Sequence, residues 1–236
     1  MTLFETTHWS VVRAAASSQP SQAREALETL CSTYWYPVYA YIRRRGNSAE
    51  DAKDLTQEFF ARFLAKNYLK DLAPGKGKFR SFLLAAVNHF LSDERDRKKM
   101  IKRGGGVVFL RVDFAAIEEY CAGGAWQALS PEKLFDRAWA LATIDSALLR
   151  LRREYDKTGK VVLFDRLSGM LMGQEEQVLY RELGAPLGLS EGAIKVAVHR
   201  LRQRFRDTLM EEIAHTLTEG ESVEEELHYL LSAVEA

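Results

Sequence analysis

The clearest pattern for recognition chemistry lies in residues 187–206, which read LGLSEGAIKVAVHRLRQRFR. A glycine-containing turn precedes Ser190, a residue type that often caps the first turn of a helix. At 100° per residue, one face of that helix is apolar, and the opposite face carries side chains that could reach the edges of DNA bases. The apolar face consists of Ile194, Ala197, Val198, Leu201 and Phe205, and the outward face of Gly192, Lys195, Val196, His199 and Gln203. A short helix, a tight turn and a capped second helix predict a helix-turn-helix.

Arginines flank this outward face, at positions 200, 202, 204 and 206. A guanidinium group pairs with a phosphate without reading the base sequence, so these residues are expected to position DNA rather than to specify it. The alternative is an amphipathic helix whose basic face is simply solvated.

A second pattern runs through residues 79–99, where apolar side chains recur at three- and four-residue intervals and predict one buried helix face. The helix then becomes basic, and its polar side could hold separated DNA strands, with aromatic side chains nearby for stacking. A solvated face explains the same composition. The apolar positions are Phe79, Phe82, Leu83, Ala86, Val87, Phe90 and Leu91, and the basic ones are Arg95, Arg97, Lys98, Lys99, Lys102 and Arg103.

A third pattern, DLTQEFFARFL at residues 54–64, places acidic and amide groups beside an aromatic stripe. The helix that contains it is predicted to begin at Ser48, with Asp51 as its capping partner, and to end before Ala73. Taken alone, the segment also fits a helix that packs in a core and leaves one face in water.

The composition is that of a soluble globular protein, with 236 residues, 47% of them hydrophobic, and 33 Lys and Arg against 33 Asp and Glu. No apolar run approaches the roughly 18 residues of a membrane span, and no leader pattern opens the chain, so a cytoplasmic protein without membrane contact is expected. Cys31 and Cys121 fit neither a disulfide framework nor a zinc site, and no metal or other cofactor is expected.

The balanced net charge hides an asymmetry. Residues 43–103 contain 16 Lys and Arg but 8 Asp and Glu, whereas residues 211–236 contain 8 Glu and no Lys or Arg. The basic part suggests nucleic acid as a partner, and the acidic part suggests a protein partner or self-masking.

Helical periodicity along the whole chain predicts an all-α fold of two helical domains joined by a linker, the second domain containing the helix-turn-helix. Three consecutive glycines at 104–106 end the first domain, and Ser130-Pro131 is typical of a helix start. The predicted divisions are a first domain at 1–103, a linker at 104–130, a second domain at 131–210 and an acidic amphipathic extension at 211–236.

In this order, the three segments resemble the extracytoplasmic-function sigma factors, small two-domain specificity subunits of bacterial RNA polymerase. Residues 39–64 and 77–99 are similar to the two parts of the family's region two, and residues 187–209 to its region four. The resemblance covers about residues 25–103 and 135–208. It implies a non-enzymatic chain with core RNA polymerase and promoter DNA as partners, and an anti-sigma factor or other regulatory protein as a further candidate.

The resemblance also implies roles for individual residues. A polymerase-docking role falls on Asp54, Gln57, Glu58 and Phe59. Capture and opening of the downstream promoter element falls on Asn88, Asp93, Arg95, Arg97 and Lys98. Entry into the major groove of the upstream element falls on Ser190, Glu191, Lys195, Val196, His199 and Arg200.

Two other functions stay open at this stage. A helix-turn-helix regulator could act without polymerase. A metal-dependent nuclease could use the carboxylates of Asp51, Asp54 and Glu58, or His89 with Asp93, although acidic residues at helical spacing are usually solvated.

The tail after Glu211 combines acidic residues with Val223, Leu227, Leu230, Leu231 and Val234 at helical spacing, and therefore predicts an amphipathic helix. We expect this helix to fold onto the basic face of the second domain and to compete with DNA. Docking on a regulatory protein is the alternative.

Overall fold

A computed structural model describes residues 20–65, 78–100, 128–172 and 180–235. Every regular element in these ranges is a helix, which confirms the all-α prediction. The α-helices are α1 (Pro20–Arg44), α2 (Ala49–Ala65), α3 (Phe79–Met100), α4 (Pro131–Lys157), α5 (Val161–Leu167), α6 (Tyr180–Gly184), α7 (Glu191–Ala214) and α8 (Val223–Glu235). Short 3₁₀ helices follow α5 at Ser168–Met172 and α6 at Ala185–Leu187.

The chain divides into two compact units. Unit 1 comprises Met1–Ala142 and Ile213–Ala236, and unit 2 comprises Thr143–Glu212. The structure describes only residues 128–130 of the predicted linker, and the glycines at 104–106 lie outside the described residues. The domain bounds derived from the sequence therefore stay a prediction.

Large aromatic side chains form the core of unit 1. The rings of Tyr34 and Trp139 stack at 4.3 Å, and Phe79 lies 5.3 Å from Tyr34 and 6.0 Å from Trp139 between ring centroids. The ring of Trp35 stacks on Phe60 of α2 at 5.7 Å. Each of these buried rings contributes about 1.5–3 kcal/mol by leaving water, so aromatic burial is the main force holding α1, α2, α3 and the start of α4 together.

The helix starts follow the predicted caps. The Ser48 hydroxyl donates to the Asp51 carboxylate at 2.7 Å, and the Asp51 backbone N–H donates to the Ser48 Oγ at 3.0 Å. Ser130 accepts a hydrogen bond from the backbone N–H of Lys133 at 3.3 Å at the start of α4. These bonds satisfy backbone donors that a helix leaves unpaired in its first turn.

The apolar face of α3 is buried as the periodicity predicts. Phe79, Leu83, Val87, Phe90 and Leu91 are all at most 5% exposed, whereas Phe82 and Ala86 lie at the edge of the buried face. The core face of α3 is therefore fixed, and its remaining sides are left for polar side chains.

The core of unit 2 is smaller and aliphatic. Leu151 of α4, two residues of α5 and three of α7 pack in one cluster, whose buried members are Leu151, Phe164, Leu167, Met170, Ile194, Val198 and Leu201. The turn before α7 depends on two glycines. Gly188 has a φ of +64°, and a Cβ atom on Gly184 would lie 2.4 Å from the Leu189 carbonyl oxygen.

The tail forms the predicted helix, α8. It belongs to unit 1, where Glu226 pairs with Lys78 and Arg80. Its expected place on the basic face of the second domain stays a prediction. The buried face of α8 includes a carboxylate, which the periodicity did not predict. Glu226 and Leu230 are 1% and 4% exposed, while Leu231, which the periodicity assigned to the apolar face, is 42% exposed.

Candidate functional site

The outward face of α7 has the composition that the sequence predicts. Lys195, Val196, His199 and Gln203 are exposed, and the opposite side chains of Ile194, Val198 and Leu201 are buried. The Ser190 Oγ accepts a hydrogen bond from the Ala193 backbone N–H at 3.2 Å and caps the helix. A short helix, a turn and the longer α7 thus present one polar face to solvent.

Lys195 is held in place by its neighbours. Its ammonium group lies 2.7 Å from the Glu191 carboxylate and 5.6 Å from the centroid of the Tyr180 ring. The hydrogen bond from Lys195 lowers the pKa of Glu191, and the same bond raises the pKa of Lys195. Both side chains are exposed, so water screens the pair and Lys195 can exchange Glu191 for another acceptor.

The arginines beside this face divide into two groups. Arg204 pairs with Glu154 of α4 at 2.9 Å, and Arg202 donates to the Met170 carbonyl at 3.0 Å, so both contact other parts of unit 2. Arg200 and Arg206 are exposed. Gln203, also exposed, donates to Asp207 one turn later at 3.2 Å.

Along α3, the predicted DNA-contacting residues differ in accessibility. Asp93, Arg95 and Arg97 are exposed, and the side chain of Lys98 lies outside the described residues. Asn88 is half-buried: its Oδ1 accepts a hydrogen bond from the Tyr41 hydroxyl at 2.7 Å, and its Nδ2 donates to the Leu84 carbonyl at 3.1 Å. The amide of Asn88 therefore connects α3 to α1.

Four charged side chains form a cluster of ion pairs between α2 and α3. The sequence patterns did not predict this cluster. Arg62 lies 2.6 Å from both Glu58 and Glu94, and Arg97 lies 3.1 Å from the same two carboxylates. Partial burial alone would raise the pKa of Glu58, but the hydrogen bonds from Arg62 and Arg97 outweigh it and hold the pKa below its ordinary value. The pairs within each helix have helical spacing in the sequence, whereas the pairing between helices depends on the fold.

The predicted polymerase-docking residues of α2 lie on two sides of the helix. Asp54 is exposed, and Gln57 and Glu58 are half-buried. Phe59 is only 2% exposed and packs against Phe60, Phe63 and Phe90, with ring centroids at 5.1, 5.3 and 5.7 Å. Its ring belongs to the core, where it holds α2 against α3.

The geometry gives no support to a metal-dependent nuclease. Among residues 20–65, 78–100, 128–172 and 180–235, no three His, Cys, Asp or Glu side chains could jointly hold a metal ion. Asp51 is engaged in the helix cap, and Glu58 is paired with arginines. None of the described helices is long and apolar enough to cross a membrane.

Comparison with known proteins places these features in a family. The family model described as ECF sigma factor matches residues 40–214, a range that contains all of α2, α3 and α7. The chain is 28% identical over 179 residues to the ECF RNA polymerase sigma factor SigE of Mycolicibacterium smegmatis, in an alignment that covers 76% of the chain and 60% of SigE.

It is also 22% identical over 191 residues to the RNA polymerase sigma factor YlaC of Bacillus subtilis, covering 79% of the chain and 93% of YlaC. The chain thus spans less than two thirds of SigE but nearly all of YlaC. No solved structure matches the chain significantly. Because the family model covers well over half of the chain, this protein belongs to the ECF sigma factor family.

Proposed function

We propose that this chain binds core RNA polymerase, directs it to specific promoters and takes part in opening the DNA. The observation that carries the proposal is the single family match that spans both the α2–α3 pair and the segment from α6 to α7. The chain acts by binding, and the polymerase supplies the catalysis. Such a protein works in the cytoplasm, and an anti-sigma factor or another regulatory protein is a candidate partner.

Energetics support a function that requires polymerase. Opening DNA costs about 1.4 kcal/mol per base-pair step, so a bubble of about ten steps needs roughly 14 kcal/mol. We do not expect a single helix in contact with DNA to supply this free energy. Two weak contacts separated along a chain gain affinity when a larger surface fixes their spacing, because the second contact then forms at a high effective concentration.

In the proposed holoenzyme, the exposed edge of α2 contacts polymerase through Asp54, Gln57 and Glu58. Phe59 supports this edge from the core, since its ring is buried. The charged cluster of Glu58, Arg62, Glu94 and Arg97 fixes the angle between α2 and α3, so that a polymerase-bound α2 holds α3 in a defined orientation.

The polar side of α3 would then contact the separated promoter strand. Asp93, Arg95 and Arg97 are exposed along it, and Lys98 follows in sequence. Arginine can bind a backbone phosphate in a bidentate way and can also stack on an unpaired base. The contact by Arg97 competes with its pairing to Glu58, which is exposed enough to exchange.

For the upstream element, we propose that residues 180–206 form a helix-turn-helix with α7 as the recognition helix. Lys195 offers a donor that suits guanine O6 and N7, and Val196, at 50% exposure, offers an apolar surface that suits a thymine methyl group. Ser190, Glu191, His199, Arg200 and Gln203 complete the proposed contact surface, which the exposure of α7 supports.

The test is transcription in vitro with purified core polymerase and a library of promoter fragments. We expect promoter-dependent transcripts only when the chain is present, and co-elution of the chain with polymerase. Lys195→Ala should change which fragments are transcribed, whereas Lys157→Ala, which removes an exposed charge from the end of α4, should not. A chain that binds its promoters tightly by itself and leaves polymerase unaffected would instead be an independent regulator.

A further inference from the structure

Helix α3 begins with an unfavourable arrangement of charge. The N-terminal end of a helix carries a partial positive charge, and acidic residues in the first turn normally offset it. The first turn of α3 has no acidic residue, and Lys78 and Arg80 add two positive charges at the same end. A negative charge from another part of the chain would therefore stabilise this helix start.

The tail helix α8 supplies that charge through Glu226, which lies 148 residues from Lys78 in sequence. The Glu226 carboxylate accepts hydrogen bonds from Lys78 Nζ at 2.5 Å and from Arg80 Nε at 3.3 Å, and it is 1% exposed. A buried carboxylate is tolerated only when it is paired and hydrogen-bonded, and here two cations pair with it.

Two further contacts of the C-terminal segment reach the same helix start. The backbone carbonyl of Thr216 accepts a hydrogen bond from the backbone N–H of Phe79 at 3.1 Å, which satisfies one of the unpaired donors of the first turn. The ring of Tyr229 lies 4.5 Å from the Arg80 guanidinium carbon, and its hydroxyl donates to Asp136, which also pairs with Arg80. We call Thr216, Glu226 and Tyr229 the C-terminal anchor.

The helix start held by this anchor is in the centre of unit 1. Phe79 is fully buried between Tyr34 and Trp139, so a shift at this point would move all of α3 relative to the core. Asp93 and Arg95 lie about four helical turns after Phe79. Because a packed helix moves as a rigid rod, a shift at Phe79 also moves these two residues.

We infer that Glu226 is a positioning residue for promoter opening: it fixes the start of α3, and thereby the residues of α3 proposed to contact the separated strand. This inference depends on the proposed function. A masking role, in which Glu226 covers Lys78 and Arg80 until DNA displaces it, fits the structure less well. Arg80 is 11% exposed in its side chain and keeps Asp136 as a second partner, so a phosphate would gain little access.

The experiment compares Glu226→Gln with Glu225→Gln in the full chain. Both variants remove one negative charge from α8, but Glu225 is exposed. With core polymerase, we expect Glu226→Gln to reduce the fraction of open complex on duplex promoters about tenfold, measured by the reactivity of unpaired thymines. Glu226→Gln should bind polymerase as tightly as Glu225→Gln does. On a template with a pre-opened mismatched bubble, the two variants should give the same level of transcription.

Three results would overturn the inference: equal opening by the two variants, equal loss on duplex and bubble templates, or tighter DNA binding by Glu226→Gln, which would indicate masking. If Glu226→Gln does not fold, Glu226→Asp is tested in the same assays with the same criteria. This variant keeps the negative charge, but its side chain is too short to keep both ion pairs.

Amide hydrogen exchange in the free chain separates this inference from the proposed function. Residues 79–83 should exchange at least about tenfold faster in Glu226→Gln than in Glu225→Gln, because the helix start opens more often. Faster exchange in a chain that does not activate polymerase would refute the proposed function while leaving the anchor in place. Unchanged exchange with full transcription by the wild type would refute the anchor alone.

Discussion

Arg97 of α3 donates a hydrogen bond to Glu58 of α2 across 3.1 Å, and this contact joins the helix proposed to bind polymerase to the helix proposed to bind the promoter strand. Arg62 and Glu94 complete the cluster between the two helices. Glu94 is 4% exposed, whereas the side chain of Glu58 is 36% exposed. The buried half of the cluster therefore contributes rigidity, and the exposed half can exchange partners during binding.

The first prediction concerns pH. Because the pKa of Glu58 is lowered in the folded protein, its carboxylate contributes stability above the ordinary pKa of glutamate, and that stability is lost as the pH falls through the lowered pKa. Glu58→Gln should lower the free energy of unfolding at pH 7 by no more than about 1 kcal/mol, since water screens the pair. The difference from wild type should shrink below about pH 4. Denaturant titrations at pH 7 and pH 3.5 measure this, with Glu50→Gln on the exposed side of α2 as the control.

The second prediction separates the core role of Phe59 from a docking role. Phe59→Ala should lower the free energy of unfolding by about 3–5 kcal/mol, because it leaves a cavity among Phe60, Phe63 and Phe90. Gln57→Ala should leave stability within about 0.5 kcal/mol of wild type and weaken binding to polymerase. Unfolding curves of both variants measure the stability change, and a polymerase pull-down measures the change in binding. Equal stability of the two variants would contradict the burial of Phe59.

The third prediction distinguishes base contacts from phosphate contacts on α7. Lys195→Ala should lose about 1–3 kcal/mol of discrimination at one position of the upstream element. Arg206→Ala should weaken binding about equally for all sequences and reduce the salt dependence by about one phosphate contact. Holoenzyme binding to single-base promoter variants at several salt concentrations measures both effects. If Arg206→Ala lost discrimination between bases, the assignment of Arg206 to a phosphate contact would be wrong.

The fourth prediction concerns the turn before α7. Gly188→Ala should cost about 1–2 kcal/mol, because the residue has positive φ but open space around its Cα. Gly184→Ala should cost more, about 3 kcal/mol, because its new methyl group would meet the rigid carbonyl of Leu189. Thermal unfolding of both variants tests whether Gly184→Ala is the more destabilising substitution. Gly188→Asn serves as a control, since asparagine tolerates positive φ better than alanine does.

Local features of the fold were predictable from the sequence because their causes are local. Ser48, Ser130 and Ser190 cap the helices they precede, and the apolar intervals of α3 and α7 identify their buried faces. The resemblance to sigma factors, confirmed by the family match, pointed to the same helices.

Features that depend on distant partners were not predictable. Phe59 lies in an aromatic stripe whose periodicity indicated a core position, yet its motif suggested a docking contact, and only the packing shows that the ring is buried. The contacts of α8 were not predictable either, because a glutamate on a helix normally counts as a solvated residue. Glu226 is buried, since two cations far away in sequence compensate its charge.

The hydrogen bonds of Asn88 carry a consequence for engineering the promoter preference of this protein. Its amide oxygen accepts from Tyr41 and its nitrogen donates to the Leu84 carbonyl, so a substitution of the half-buried Asn88 would break two hydrogen bonds within the protein. The neighbouring imidazole of His89 projects into solvent one position further along α3. Libraries intended to retarget the downstream element should therefore randomise His89 and leave Asn88 as it is.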